Sequence, residues 1–80
     1  MERGRVLEDV RRVLAEHLLI SDVREETDLF RDLELDSVQQ LTFIVELENN
    51  FEICFDEGDE AEIRTIGDVV DIVSRRLAAP

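Results

Sequence analysis

The apolar residues of this chain recur at intervals of three and four, the spacing that places them on one face of an α-helix. The pattern predicts main helices over residues 2–19 and 37–50. It also predicts a short helix over residues 59–63 and a last helix that begins after Thr65. Residues 21–36 show no sustained period and are expected to form a long loop. We therefore predict an all-α fold, a four-helix bundle of three main helices plus one short helix, with the long loop between helices 1 and 2.

Two of the predicted helices begin with residues that favour a helix N-terminus. Asp36 is suited to the N-cap of helix 2, and Gln39 lies at the third helical position, where its side chain can complete a capping box. Thr65 and Asp68 have the same spacing at the start of the last helix. Four apolar residues are expected to hold the long loop against the bundle: Leu29, Phe30, Leu33 and Leu35.

The chain is strongly acidic, with 21 Asp and Glu residues against 9 basic residues and a net charge of −12. Nucleic acids and anionic membrane surfaces attract basic proteins, so the composition excludes both as partners. No apolar stretch approaches the roughly 20 residues of a membrane span, and the N-terminus has no signal-peptide pattern. We expect a cytoplasmic monomer that is attracted to basic patches on other proteins.

Helix 2 is more apolar than a helix that buries one face against a bundle. Its apolar residues fall into two arcs: Phe43, Ile44 and Leu47 form one, and Val38, Leu41 and Val45 form the other. One arc is expected to face the core. The second arc is either left exposed as a docking strip for partner proteins or covered by the short helix and the long loop.

Ser37 is predicted to be the first residue of helix 2, directly after an acidic segment. A hydroxyl at this position is exposed and lies close to backbone N–H groups that have no partner within the helix, an arrangement that favours an attached phosphate. Spacing alone leaves two interpretations open: Ser37 is the site of a phosphate-linked modification, or it only assists capping.

Four segments between residues 27 and 70 are similar in sequence to acyl carrier proteins, with the spacing between them kept. They are TDLFRDLELDSV at residues 27–38, VELENNF at 45–51, FD at 55–56 followed by DEAEI at 59–63, and TIGDVV at 65–70. The resemblance implies a four-helix bundle in which residues 1–80 form a single acyl-carrier domain of the stand-alone type. It also implies a carrier of acyl groups that is not itself an enzyme.

By this resemblance, Ser37 carries a 4′-phosphopantetheine arm, which a phosphopantetheinyl transferase installs from coenzyme A. Asp36 would be the acidic neighbour that the transferase recognises. The terminal thiol of the arm then holds acyl intermediates as thioesters and presents them to loading and processing enzymes that have basic docking patches. The positions that the family uses to contact these partners correspond to Val38, Leu41, Val45, Glu46 and Glu48.

Some positions depart from the family pattern and leave undecided which biosynthetic pathway the carrier serves. Glu34 stands where the family often has glycine, and Val38 stands where leucine is more usual. Fatty-acid synthesis and polyketide or another specialised biosynthesis are both compatible with these changes. Two alternative functions also stay open: an aminoacyl or peptidyl carrier that uses the same arm, and an unmodified acidic helical module that only binds other proteins.

Other chemistry-bearing residues are expected to be structural. His17 is predicted to be partly buried and hydrogen-bonded, because no residues at ligand spacing support a metal site. Cys54 is the single cysteine and is expected to be a largely buried apolar residue. The acidic run at residues 56–62 is expected to be a solvated surface. Without a nucleophile–base pair or a metal cluster, the sequence offers no catalytic centre.

Overall fold

A computed structural model describes residues 2–78, and these residues form four helices in the predicted order. They are α1 (Arg3–Leu18), α2 (Ser37–Phe51), α3 (Glu57–Glu62) and α4 (Ile66–Ala78). The predicted all-α four-helix bundle, with three main helices, one short helix and a long loop after α1, is therefore confirmed. The main packing joins α1 to both α2 and α4.

The core consists of aliphatic and phenylalanine side chains, most of them from the three long helices, together with Val23, Leu29, Leu35 and Ile63 from the connections. Most of the apolar positions that the spacing assigned to the inner faces are fully buried. Those with no more than 1% of their surface exposed are Val6, Val10, Leu14, Phe43, Leu47, Ile66, Val69, Val70 and Val73. The helical spacing therefore identified the buried faces of α1, α2 and α4 correctly.

Both predicted capping arrangements are present. Asp36 Oδ1 accepts a hydrogen bond from Gln39 N at 2.8 Å, and Gln39 Oε1 accepts one from Asp36 N at 3.1 Å. At the start of α4, Asp68 N donates to Thr65 Oγ1 at 3.1 Å and Thr65 N donates to Asp68 Oδ2 at 3.0 Å. In each pair, two side-chain oxygens accept hydrogen bonds from two backbone N–H groups at the helix N-terminus. These bonds fix the residue at which the helix begins.

The long loop is tied to the connection between α3 and α4. Leu29 N donates to Arg64 O at 2.9 Å, Ile66 N donates to Thr27 O at 3.0 Å, and Asp28 forms an isolated β-bridge with Thr65. These bonds satisfy backbone groups of residues 27–29 and hold this part of the loop against the start of α4.

The predicted apolar anchors of the loop behave in two ways. Leu29 and Leu35 are buried and Leu33 is half-buried against the core. The prediction for Phe30 is wrong, because its side chain is 45% exposed. Phe30 N donates to the side chain of Asp28 at 2.8 Å. In the resulting tight turn the preceding Leu29 takes the core position.

The structure corrects the prediction for α3 and the acidic run. Helix α3 begins at Glu57 because Asp56, not a later residue, caps it through a capping box with Asp59. The run is not a uniformly solvated surface either. Asp59 is only 6% exposed and forms an ion pair with Arg76 of α4.

Two predicted burials are also wrong. Cys54 is exposed, because the connection that follows α2 is extended and places Ile53 and Phe55 against the core instead. His17 is exposed rather than partly buried, since it lies at the edge of the interface between α1 and α2. Its Nε2 is 3.2 Å from Glu46 Oε2, so the predicted polar partner exists.

Candidate functional site

Ser37 is the first residue of α2 and is exposed. The first backbone N–H groups of any helix lack partners within the helix. Here the capping box satisfies those of Asp36 and Gln39, and the N–H groups of Ser37 and Val38 are left beside the hydroxyl. In residues 2–78, no hydrogen bond occupies the Ser37 side chain. The position therefore suits a phosphate ester, whose oxygens can accept hydrogen bonds from these two N–H groups.

The segment before Ser37 is fixed by its backbone and by one buried side chain. Leu35 is buried, its N–H donates to Leu29 O at 3.2 Å, and its carbonyl accepts a hydrogen bond from Gln40 Nε2 at 3.0 Å. Glu34 adopts a left-handed conformation with φ of 51°. This is the position where the family often has glycine, so the chain keeps a conformation that glycine favours without having the glycine.

The second apolar arc of α2 is exposed. Val38, Leu41 and Val45 are 73%, 63% and 41% exposed, whereas Phe43 and Leu47 of the first arc are buried. The two arcs are therefore divided between solvent and core as the docking-strip interpretation requires. We call Val38, Leu41 and Val45 the docking strip. It begins next to Ser37 and runs along α2.

The two glutamates of α2 that the resemblance assigned to partner contacts also interact within the fold. Glu46 Oε2 lies beside His17 of α1, and Glu48 Oε2 accepts a hydrogen bond from Phe55 N at 2.9 Å. Both residues are half-buried. Glu48 therefore stabilises the connection after α2, a role that the sequence did not predict.

A partly open cavity of about 230 Å³ lies beside Ser37, between α2, the long loop and the end of α3. Its walls are mainly apolar. The apolar residues that line it are Leu29, Phe30, Leu35, Leu41, Phe43, Ile44 and Ile63, and Gln40 adds a polar group. The sequence did not reveal the cavity, because it depends on how the loop and α3 pack against α2.

The loop that leads to Ser37 carries one carboxylate with a clearly shifted pKa. The backbone N–H groups of Arg31 and Phe30 donate to Asp28 Oδ1, both at 2.8 Å, and lower the pKa of this carboxyl below its ordinary value. The guanidinium of Arg64 lowers it further. Asp28 therefore stays ionised while it orders the turn.

Within residues 2–78, no group of three or more His, Cys, Asp and Glu side chains is arranged to hold a metal ion. Over the same residues, no helix is both long and apolar enough to span a membrane. The surface around Ser37, the docking strip and the cavity is thus the candidate functional site.

Comparisons with known proteins identify the family of the chain. Residues 8–73 match the family described as "Phosphopantetheine attachment site". The acyl carrier protein of Exiguobacterium sp. is 30% identical over 79 residues, which cover 96% of this chain and 100% of that protein. The acyl carrier protein of Chlamydia muridarum is 32% identical over 71 residues, covering 86% of this chain and 92% of that protein.

The fold is similar to a solved structure as well. The crystal structure of an acyl carrier protein from Thermotoga maritima superposes with a TM-score of 0.81 at 25% sequence identity, covering 96% of this chain and 92% of that one. The fold, the match over residues 8–73 and the relatives define a phosphopantetheine-binding carrier. The chain belongs to the acyl carrier protein family, whose members carry 4′-phosphopantetheine as a covalent cofactor.

Proposed function

We propose that this protein carries acyl intermediates as thioesters on a 4′-phosphopantetheine arm attached to Ser37. The observation that carries the proposal is the position of Ser37, whose exposed hydroxyl lies at the N-terminus of α2 between the docking strip and the apolar cavity. The attachment forms a bond between the serine oxygen and the phosphorus next to the pantetheine. The pyrophosphate bond of coenzyme A breaks, and the adenosine bisphosphate leaves.

In this proposal, the chain presents the arm and its partners supply the catalytic groups. Asp36 and the docking strip form the surface that the transferase and the acyl-processing enzymes recognise, with basic patches of those enzymes attracted to the net charge of −12. Glu46 contacts His17 and Glu48 contacts the backbone of Phe55 through one carboxylate oxygen each, and we assign the other oxygen of each to such partner contacts. The arm's thiol, rather than any side chain, bears the cargo.

The cavity supports an acyl cargo with an apolar chain. An apolar cavity of about 150 Å³ holds a benzene ring in another protein. By proportion, the volume of about 230 Å³ accommodates roughly eight or nine carbon atoms. We therefore propose medium-length acyl chains, of fatty-acid, polyketide or related specialised biosynthesis, as the cargo. An amino acid has a charged amine that this apolar surface does not favour.

The attachment is tested with coenzyme A, magnesium and a broad-specificity phosphopantetheinyl transferase, followed by intact mass analysis. The wild type and Ser21→Ala should each gain one phosphopantetheinyl group, and Ser37→Ala should gain none. Ser21 is an exposed loop serine and controls for a general effect of removing a hydroxyl. Because Cys54 is exposed and the only cysteine, a thiol reagent should label one site before modification and two sites after it.

Three outcomes of these experiments would contradict an acyl carrier modified at Ser37. If folded wild-type protein gains no mass while a known carrier is modified in the same reaction, the unmodified interaction module becomes the better account. Gain of mass in Ser37→Ala would place the arm on another residue. Loading of an amino acid by an adenylating ligase, without loading by acyl-transfer enzymes, would identify an aminoacyl carrier instead.

A further inference from the structure

Helix α3 is not part of the main helix packing, which joins α1 to α2 and to α4. It has only six residues, too few to be stable without tertiary contacts. Its C-terminal neighbour Ile63 is buried in the core, and its N-terminus is closed by the capping box between Asp56 and Asp59. Between these two points, the helix is held by charged side chains.

Two consecutive arginines in the last turn of α4 supply the opposite charges. Arg76 Nε donates to Asp59 Oδ2 at 2.8 Å, and Arg76 Nη2 donates to Asp56 Oδ2 at 2.8 Å. Arg75 Nη2 lies 3.4 Å from Asp59 Oδ1 and 3.3 Å from Glu62 Oε2. We call these two arginines and their three carboxylates the arginine clasp.

The centre of the clasp is shielded from water. Asp59 is 6% exposed, and its carboxylate accepts from both arginines and from the backbone of Asp56. The pKa of Asp56 is lowered, first by its hydrogen bond with the backbone of Asp59 and then by the bond with Arg76. Charge-assisted bonds to a buried carboxylate are strong and directional, so they fix the position of α3 relative to α4.

The same helix forms one wall of the cavity beside Ser37. Glu60 and Ile63 line the cavity from the α3 side, opposite Ile44 and Phe43 of α2. Glu60 directly follows the buried Asp59 in sequence. The position of this wall therefore depends on the bonds between Asp59 and the arginines of α4.

We propose that the arginine clasp determines the length of acyl chain that the cavity accepts, because it prevents α3 from moving away from α2. This inference rests on the proposed carrier function. With the clasp intact, a chain longer than about eight or nine carbons extends into solvent, since the wall is fixed and the cavity is full. With the clasp broken, α3 can move outward and the cavity takes more of the chain.

The first test uses unmodified protein and so does not depend on the cargo. Amide hydrogen exchange of residues 57–63 should be at least about tenfold faster in Arg76→Gln than in the wild type, a change typical of losing charged hydrogen bonds. Arg3→Gln is the matched control, because Arg3 also joins two carboxylates, Glu25 and Asp71, away from α3. Exchange in α3 should be unchanged in this control. Equal exchange in Arg76→Gln and the wild type would overturn the clasp.

The second test measures the melting temperature of proteins loaded with hexanoyl, octanoyl and dodecanoyl arms, relative to the unloaded arm. In the wild type and Arg3→Gln, stabilisation should increase from hexanoyl to octanoyl and then level off. In Arg76→Gln, dodecanoyl should stabilise more than octanoyl. An unchanged plateau in Arg76→Gln, despite faster exchange in α3, would overturn the role of the clasp in chain length.

Failure of the carrier proposal gives a different pattern, because it also affects the wild type. If the transferase modifies no variant, or if no acyl chain stabilises the wild type, the proposed function fails and the chain-length inference fails with it. If Arg76→Gln does not fold, Arg75→Gln replaces it in both tests. Arg75 is 61% exposed and its contacts are longer, so this variant should show the same changes at smaller size.

Discussion

The hydroxyl of Ser37 is positioned by its neighbours and makes no contact that the fold needs. Leu35 anchors the preceding backbone in the core, and Asp36 caps α2 through Gln39. Neither contact uses the Ser37 side chain, so the hydroxyl is free to react without strain on the fold. Ser37→Ala should therefore keep the wild-type melting temperature within about 2–4 °C, the range that a change of up to about 0.5 kcal/mol at an exposed site produces in a domain of this size.

Glu34 offers a stability test at one backbone position. Its φ of 51° costs a residue with a Cβ roughly 1–2 kcal/mol. Glycine avoids this cost, but its greater conformational freedom in the unfolded chain lowers the free energy of unfolding by roughly 0.5–1 kcal/mol. Glu34→Gly should therefore stabilise the protein by about 0.5–1 kcal/mol in urea unfolding.

Glu34→Ala separates the backbone effect from the loss of a negative charge. It removes the same carboxylate as Glu34→Gly but keeps the Cβ. The glycine variant should be more stable than the alanine variant. Equal stability of the two would show that the left-handed conformation at this position is not a source of strain.

Asp28 gives a prediction for pH. The pKa of Asp28 is lowered in the folded protein. The contribution of its carboxylate to folding stability is therefore complete above the ordinary pKa of 3.8 and is lost as the pH falls through the lowered pKa of the folded state. The difference in melting temperature between the wild type and Asp28→Asn should be constant from about pH 7 to pH 5 and decrease below about pH 4. A difference that stays the same at about pH 3 would contradict this account.

At the scale of elements, α2 has one apolar face in the core and another exposed to solvent. Phe43 is 1% exposed in the core, and Val38 is 73% exposed next to Ser37. Phe43→Ala should lower the free energy of unfolding by about 3–5 kcal/mol because it removes a buried ring. Val38→Ala, the matched substitution on the docking strip, should change it by no more than about 0.5 kcal/mol.

Modification by the transferase should distinguish Val38→Ala from Phe43→Ala in the opposite way to stability. Val38→Ala should weaken modification by the transferase, measured as the rate of mass gain at limiting transferase, while Phe43→Ala should affect it only through unfolding. A cost below about 1 kcal/mol for Phe43→Ala would mean that the two arcs of α2 have the reverse roles.

The helices also show how far sequence reasoning reaches. The main helices and their caps follow from local spacing, because residues such as Asp36 and Gln39 interact within one turn. The burial of Asp59 does not, since its partner Arg76 is 17 residues away in sequence. Cys54 was misassigned for the same reason: its exposure depends on the direction in which the chain leaves α2.

At the scale of the whole molecule, repulsion among the acidic residues opposes folding. The net charge is −12, and the ion pairs of the described residues engage arginines at the edges of the bundle, such as Arg3, Arg12 and Arg76. Added salt screens the repulsion and the exposed pairs alike. Because the unpaired negative charges outnumber these pairs, repulsion is the larger effect.

The melting temperature should therefore rise when sodium chloride is increased from low to physiological concentration. Choline chloride at the same ionic strength should produce the same rise if screening is the cause. A melting temperature that stays constant or falls would show that the ion pairs, including the arginine clasp, outweigh the net repulsion.

The cavity and the candidate site also belong to the whole molecule. Helical spacing predicted the cap of α2 and divided its apolar residues into two arcs, while Ser37 was assigned through the resemblance to acyl carrier proteins. The sequence did not predict the cavity, whose walls come from residues as distant as Leu29 and Ile63. Nor did it predict that Glu48 would bond to the backbone of Phe55, because that contact depends on the turn after α2.

The most direct test of the account is the intact mass of the protein purified from the cells that naturally produce it, followed by fragmentation of the peptide that contains Ser37. The account predicts a population that carries one phosphopantetheinyl group, located on Ser37, with part of that population extended by acyl groups. Protein that is entirely unmodified in growing cells, or modified at Ser21 or Ser74 instead, would contradict it.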